Sequence, residues 1–150
     1  MKIDRNLADA VYRTDFGAFT YAAYKALNPG QRLIPNWHIE TICHQLQQMV
    51  SGEARPRLVL NQPPRTLKSF IVSVSFPSWL LGRDPSCRII CASYSDELTT
   101  KFSRDCRALL DTRSSSGCFL KPGSIQRRHL KANLKPQSGV LASPLRSAAR

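Results

Sequence analysis

The stretch 57–69, RLVLNQPPRTLKS, constrains this chain more than any other. Leu58-Val59-Leu60 is a short apolar run of strand-forming residues. Asn61, Gln62, Pro63 and Pro64 end it, because proline continues neither a strand ladder nor a helix. Lys68-Ser69 then opens Phe70-Ile71-Val72-Ser73-Val74, which is apolar enough to be buried. Strand, tight loop, Lys-Ser and helix is the layout of a phosphate-binding loop. In such a loop, N–H groups at the helix start face the phosphates, the lysine neutralises β/γ charge, and the hydroxyl ligates Mg²⁺. The pattern G-x-x-x-x-G-K-[ST] would put glycines at Gln62 and Leu67, where they serve unusual dihedrals and close approach to phosphate. On spacing alone, two readings stand: a phosphate loop, or a strand–turn–helix connection whose lysine points at water.

The flanking sequence sets the loop in a fold. Residues 4–27 carry Leu7, Val11, Phe16, Phe19, Ala23, Tyr24 and Leu27 at roughly helical spacing and stop at Asn28-Pro29-Gly30, which predicts one or two amphipathic helices. Asn36 is placed to cap a helix from Trp37 to about Val50, burying Ile39, Ile42, Cys43, Leu46 and Met49. A helix over 69–81 follows the loop, kinked or split by Pro77 and capped by Gly82. Residues 88–93, RIICAS, read as a second buried strand. Ser95 then caps a helix to about Asp111, with Asp96 and Glu97 in its first turn and Leu98, Phe102, Cys106, Leu109 and Leu110 on its apolar face. The order β-loop-α-β-α predicts an α/β fold: a parallel sheet flanked by helices, its two strands side by side and joined by a right-handed crossover.

Charge divides the chain. The net +12 falls unevenly: residues 1–112 hold 14 Lys/Arg against 10 Asp/Glu, whereas residues 113–150 hold 8 basic and no acidic residues. The latter segment is broken by Ser, Gly and Pro and has too few apolar residues to offset its ordering entropy, so a disordered basic tail is expected, with at most a short helix over 126–134. Five cysteines (Cys43, Cys87, Cys91, Cys106, Cys118) form no C-x-x-C pair; with no signal peptide in view, they read as reduced thiols of a cytoplasmic protein. No apolar run approaches the roughly 20 residues that span a bilayer.

The run Asn61-Gln62-Pro63-Pro64-Arg65-Thr66-Leu67-Lys68-Ser69 resembles the variant Walker A of the large subunit of tailed-phage DNA-packaging terminases. The similarity continues through Phe76-Pro77-Ser78-Trp79-Leu80-Leu81-Gly82-Arg83-Asp84-Pro85, residues 88–95 and Lys101-Phe102-Ser103-Arg104-Asp105. Upstream, Leu27-Asn28-Pro29-Gly30 and Pro35-Asn36-Trp37-His38-Ile39-Glu40 are similar to the segment preceding the ATPase core, so that it covers roughly residues 12–112. The resemblance implies an incomplete P-loop NTPase-type fold. Residues 1–56 form an N-terminal helical segment, 57–112 a partial ATPase core and 113–150 the basic tail. It implies ATP and Mg²⁺ as cofactors, with Pro64, Arg65, Thr66, Leu67, Lys68 and Ser69 around the phosphates and Ser69 on the Mg²⁺. Trp37 and His38 fall on a possible adenine side, with a core tryptophan and a capping histidine as equal alternatives. Implied partners are double-stranded DNA, a small terminase subunit and a portal, with no membrane, in a bacterial host cell.

The same resemblance shows what these residues lack. The family hydrolyses ATP with acidic residues on a later strand and cuts DNA with clustered carboxylates. No acidic residue follows Asp111, so no catalytic residue is assigned. Because acidic residues and the resemblance both stop near Asp111, the tail reads as a terminase segment translated out of frame. The alternative is a small basic nucleic-acid-binding protein; a complete kinase-like enzyme is disfavoured by the missing acidic strand.

Overall fold

A computed structural model describes residues 5–53, 55 and 57–116. Of the expected disordered tail only residues 113–116 are described, and they continue a helix rather than a disordered segment; the rest of the tail, its basic helix and its out-of-frame origin lie outside the described residues. The described residues form helices: α1 (Arg5–Thr14), α2 (Phe16–Leu27), α3 (Trp37–Ser51), α4 (Lys68–Phe70), a π turn (Ile71–Ser75), α5 (Phe76–Arg83) and α6 (Asp96–Ser116). The first amphipathic stretch is two helices because Asp15 breaks it: its extended backbone ends α1, and its carboxylate accepts from Ala18 N at the start of α2. Gln47 on α3 staples the break, accepting from Phe16 N at 2.9 Å and donating to Thr14 O at 3.1 Å. The expected apolar stripe fails at α1, where Leu7 and Val11 stand in solvent.

Helix α2 is the centre of the layer, packing on α1, α3, the π turn, α5 and α6. The core gathers Phe16, Phe19 and Ala23 from α2, Ile39, Ile42, Cys43 and Leu46 from α3, Ile71 and Val74 from the π turn, Trp79 from α5 and Leu109 from α6. Trp79 is fully buried, lies 5.1 Å from the Phe16 ring, and donates its indole N–H to Tyr12 O at 2.9 Å. Arg83 covers its face at 4.6 Å.

Two expected caps and one helix end differ. Asn36 sits at the N-cap of α3 but makes no side-chain cap bond; its carbonyl accepts from Ile39 N instead. Gly82 lies buried inside α5, and Asp84 takes the C-cap. Helix α6 continues past Asp111 to Ser116. Pro77 does split its helix: the π turn, with Phe76 N bonded to Ile71 O, restarts the ladder so that proline falls in the first turn of α5, where its missing N–H costs little.

The parallel sheet is not there. Among the described residues no strand forms, and this corrects the α/β expectation. Both expected strands are non-helical segments that lie on different helical clusters. Leu58 and Leu60 rest on the main core, while Cys87 and Ile89 rest on a smaller one made by Leu81, Cys106 and Leu110. Their alternate residues face solvent, Val59 at 92% and Ile90 at 85% exposure. A strand of a parallel sheet is covered on both faces; these are covered on one, and no ladder joins them.

Candidate phosphate-binding loop

The loop connects the extended residues 57–63 to a continuous helical run from Lys68 to Arg83. Thr66 Oγ1 donates to Pro63 O at 2.9 Å and closes the turn opened by the two prolines. Two non-glycine residues then take left-handed backbone, Arg65 at φ 66° and Leu67 at φ 61°. Such conformations cost on the order of 1–3 kcal/mol each and persist where the surroundings impose them. Leu67 is held by its partly buried side chain, packed against the main core, and by its carbonyl, which accepts from Ile71 N at 2.9 Å.

Position 67 is one of the two where the pattern calls for glycine, and it adopts a backbone that favours glycine. Gln62, the other, does not. What Gln62 supplies was invisible in the sequence, where it counted only as a departure from the pattern. Its carbonyl lies 3.4 Å from Lys68 Nζ, and its side-chain Oε1 is buried with no partner. The lysine is thereby folded back across the loop mouth rather than extended into water.

The remaining donors are open. Leu67 caps the helix, so the N–H groups of Lys68, Ser69 and Phe70 have no intrahelical acceptor. Ser69 is exposed and Arg65 projects from the surface. Pro64, Arg65, Thr66, Leu67, Lys68 and Ser69 thus form one continuous exposed to half-buried loop that carries two cations, Arg65 and Lys68. That donor set suits a phosphate chain, and Ser69 is placed to reach a metal ion carried on it.

Trp37 and His38 open α3. Trp37 is 76% exposed, which removes the core reading, and His38 makes no capping hydrogen bond but meets the Trp37 ring edge-on at 6.2 Å. Among the described residues no group of three or more His, Cys, Asp and Glu is placed to hold a metal, and no helix is long and apolar enough to cross a membrane. Comparison with protein-family models, with curated proteins and with solved structures finds no match.

Proposed function

We propose that the loop binds the phosphates of ATP and that the chain is a portion of a tailed-phage terminase large subunit, ancestrally a DNA-packaging motor. The observation that carries the nucleotide reading is the left-handed Leu67. It turns the chain so that Lys68 and Ser69 enter a helix whose first N–H groups have no intrahelical acceptor. In this reading Lys68 exchanges the Gln62 carbonyl for β/γ-phosphate oxygens, Arg65 adds a second cation, and Thr66 and Leu67 offer N–H groups. Ser69 holds Mg²⁺ through the nucleotide; the metal's part is to neutralise phosphate charge. Trp37, exposed beside His38, offers a face for a base to stack on. Double-stranded DNA, a small terminase subunit and a portal are the partners this ancestry suggests, in a bacterial cytoplasm.

Binding is expected to be weak and hydrolysis absent, since within these residues no acidic side chain follows Asp111. Titration calorimetry with Mg²⁺-ATP should give saturable weak binding that Lys68→Ala abolishes. No binding, or binding that Lys68→Ala leaves intact, overturns the assignment. The acid-free segment 113–150 supports a second reading as a nucleic-acid binder. Affinity for random DNA that falls steeply with salt and ignores Lys68→Ala would favour it.

A further inference from the structure

Helix α2 meets the helical run that carries the loop along one stripe. Phe16 packs on the Phe76 ring at 5.3 Å and the Trp79 ring at 5.1 Å. Thr20 Oγ1 lies 2.9 Å from Ser75 Oγ, and the Tyr24 ring meets Phe70 edge-on at 5.6 Å. Positions 16, 20 and 24 are successive turns of one α-helical face, and their contacts descend from 79 to 70, so the two helices run antiparallel. On the other side the steps are unequal: Trp79 and Ser75 are four residues apart, but Ser75 and Phe70 are five. An unbroken α-helix would set residues five apart about 140° from each other around its axis. The π turn Ile71–Ser75, closed by Phe76 N on Ile71 O, absorbs the extra residue and brings Phe70 and Ser75 to the same face.

That match turns on a polar pair in an apolar core. Thr20 and Ser75 are both fully buried, and Cys43 on α3 donates its thiol to the same Thr20 oxygen at 3.7 Å. A buried hydroxyl is costly without a partner, and a satisfied buried pair specifies one packing. Winding residues 71–75 as α-helix, with Phe76 N on Val72 O, would keep either Ser75 on Thr20 or Phe70 on Tyr24, not both. Lys68 and Ser69 precede Phe70 in the same run and turn with it. We infer that Thr20 is a positioning residue for the phosphate loop: through Ser75 it holds the π turn and so sets where Lys68 and Ser69 point. Its part in nucleotide binding rests on the reading of the loop proposed above.

The test compares Thr20→Val, which keeps the shape and removes the hydroxyl, with Thr20→Ser, which keeps the hydroxyl. In the full chain, ring-to-ring nuclear Overhauser contacts report on the two ends of the stripe. Thr20→Val should lose the Tyr24–Phe70 contact and keep Phe16–Trp79, whereas Thr20→Ser should keep both. Mg²⁺-ATP affinity by calorimetry should fall about tenfold in Thr20→Val, the order of one hydrogen bond to a charged group, and stay near wild type in Thr20→Ser. Ser75→Ala should match Thr20→Val, and the double variant should lose no more affinity than either single one. A purely structural role would lower the urea midpoint yet leave the Tyr24–Phe70 contact and the affinity of the folded chain in place, and that result overturns the inference. So does an equal loss in Thr20→Ser. A wild type that binds no Mg²⁺-ATP overturns the phosphate reading and the loop role with it; the ring contacts tell that failure from a failure of the pair to hold the turn.

Discussion

Arg65 and Leu67 share a left-handed backbone but differ in what holds them there. Leu67 is partly buried against the core, whereas Arg65 is exposed and has no such anchor. Arg65→Gly should therefore separate strain from function. It relieves roughly 1–2 kcal/mol of steric cost and adds about 0.5–1 kcal/mol of chain entropy to be lost on folding. Urea denaturation should show stability unchanged or raised by up to about 1 kcal/mol on this balance, while Mg²⁺-ATP affinity falls with the lost guanidinium. A clear loss of stability would mean that the Arg65 side chain is structural. The spacing of Lys68 and Ser69 was legible in the sequence, and the glycine positions were used there as an objection. Dihedral need is not the same as residue type: Leu67 meets it because core packing supplies what glycine would have supplied without cost. A second residue-scale consequence concerns Cys43, whose thiol is pushed up to about 11 by burial, against a lowering contribution from its hydrogen bond to Thr20. Below about pH 9 both folded and unfolded thiols are protonated. Between there and the folded value only the unfolded thiol loses its proton, so stability falls as pH rises through that window. Cys87 and Cys91 are raised in the same direction by burial. Cys43→Ala should make the decline between pH 9 and 11 shallower in urea titrations, and an unchanged slope would assign it to the other thiols.

At the scale of elements, the helices were readable because a helix satisfies its own backbone, and its periodicity states which face is buried. A strand is a relation between segments. Residues 58–60 and 88–93 have the composition of strands, yet each is covered on one face only, and no ladder forms among the described residues. Sequence alternation in Leu58-Val59-Leu60 and in Ile89-Ile90-Cys91 is masked by apolar residues on both faces, which is why a doubly covered strand was the natural expectation. The junction between α1 and α2 was illegible for a different reason. Asp15 is a recognisable cap, but the Gln47 staple comes from 31 residues away and no local pattern announces it. Gln47→Ala leaves Phe16 N and Thr14 O without their partners and should cost about 1–2 kcal/mol in thermal or urea unfolding. Gln47→Glu keeps the acceptor for Phe16 N and places negative charge near the start of α2, but it sets a carboxylate against the Thr14 carbonyl. It should fall between wild type and alanine. If both variants match wild type, the two helices are held by Phe16 and Trp79 packing alone.

For the whole molecule, the question is whether the proposed phosphate site, on a helical body, could turn nucleotide over. Hydrolysis needs a group that orients the attacking water and a second that steadies the metal, both held against the γ-phosphate by rigid elements. In the described residues the loop is built on one such element, the run from Lys68 to Arg83, which is anchored by Trp79 and by the buried Thr20–Ser75 hydroxyl pair at 2.9 Å. Among the described residues no group of three or more His, Cys, Asp and Glu is placed to hold a metal ion. The nearest acidic residues in sequence that follow the loop are Asp84, held at a helix end by Ser86, and Asp96 and Glu97 in the first turn of α6. Asp84 is spoken for: hydrogen bonds from the Ser86 side chain and backbone hold its carboxyl below the usual range, which makes it a poor proton acceptor. If the loop binds phosphate as proposed, a site with positioning cations and no general base would bind without acting. Phosphate release from Mg²⁺-ATP should therefore stay at the background rate in wild type and in Lys68→Ala alike, even where calorimetry distinguishes the two. Turnover that is present in wild type and lost in Lys68→Ala would require a carboxylate to reach the loop. Asp96→Asn and Glu97→Gln, assayed for phosphate release alongside nucleotide binding, would then show whether α6 supplies it.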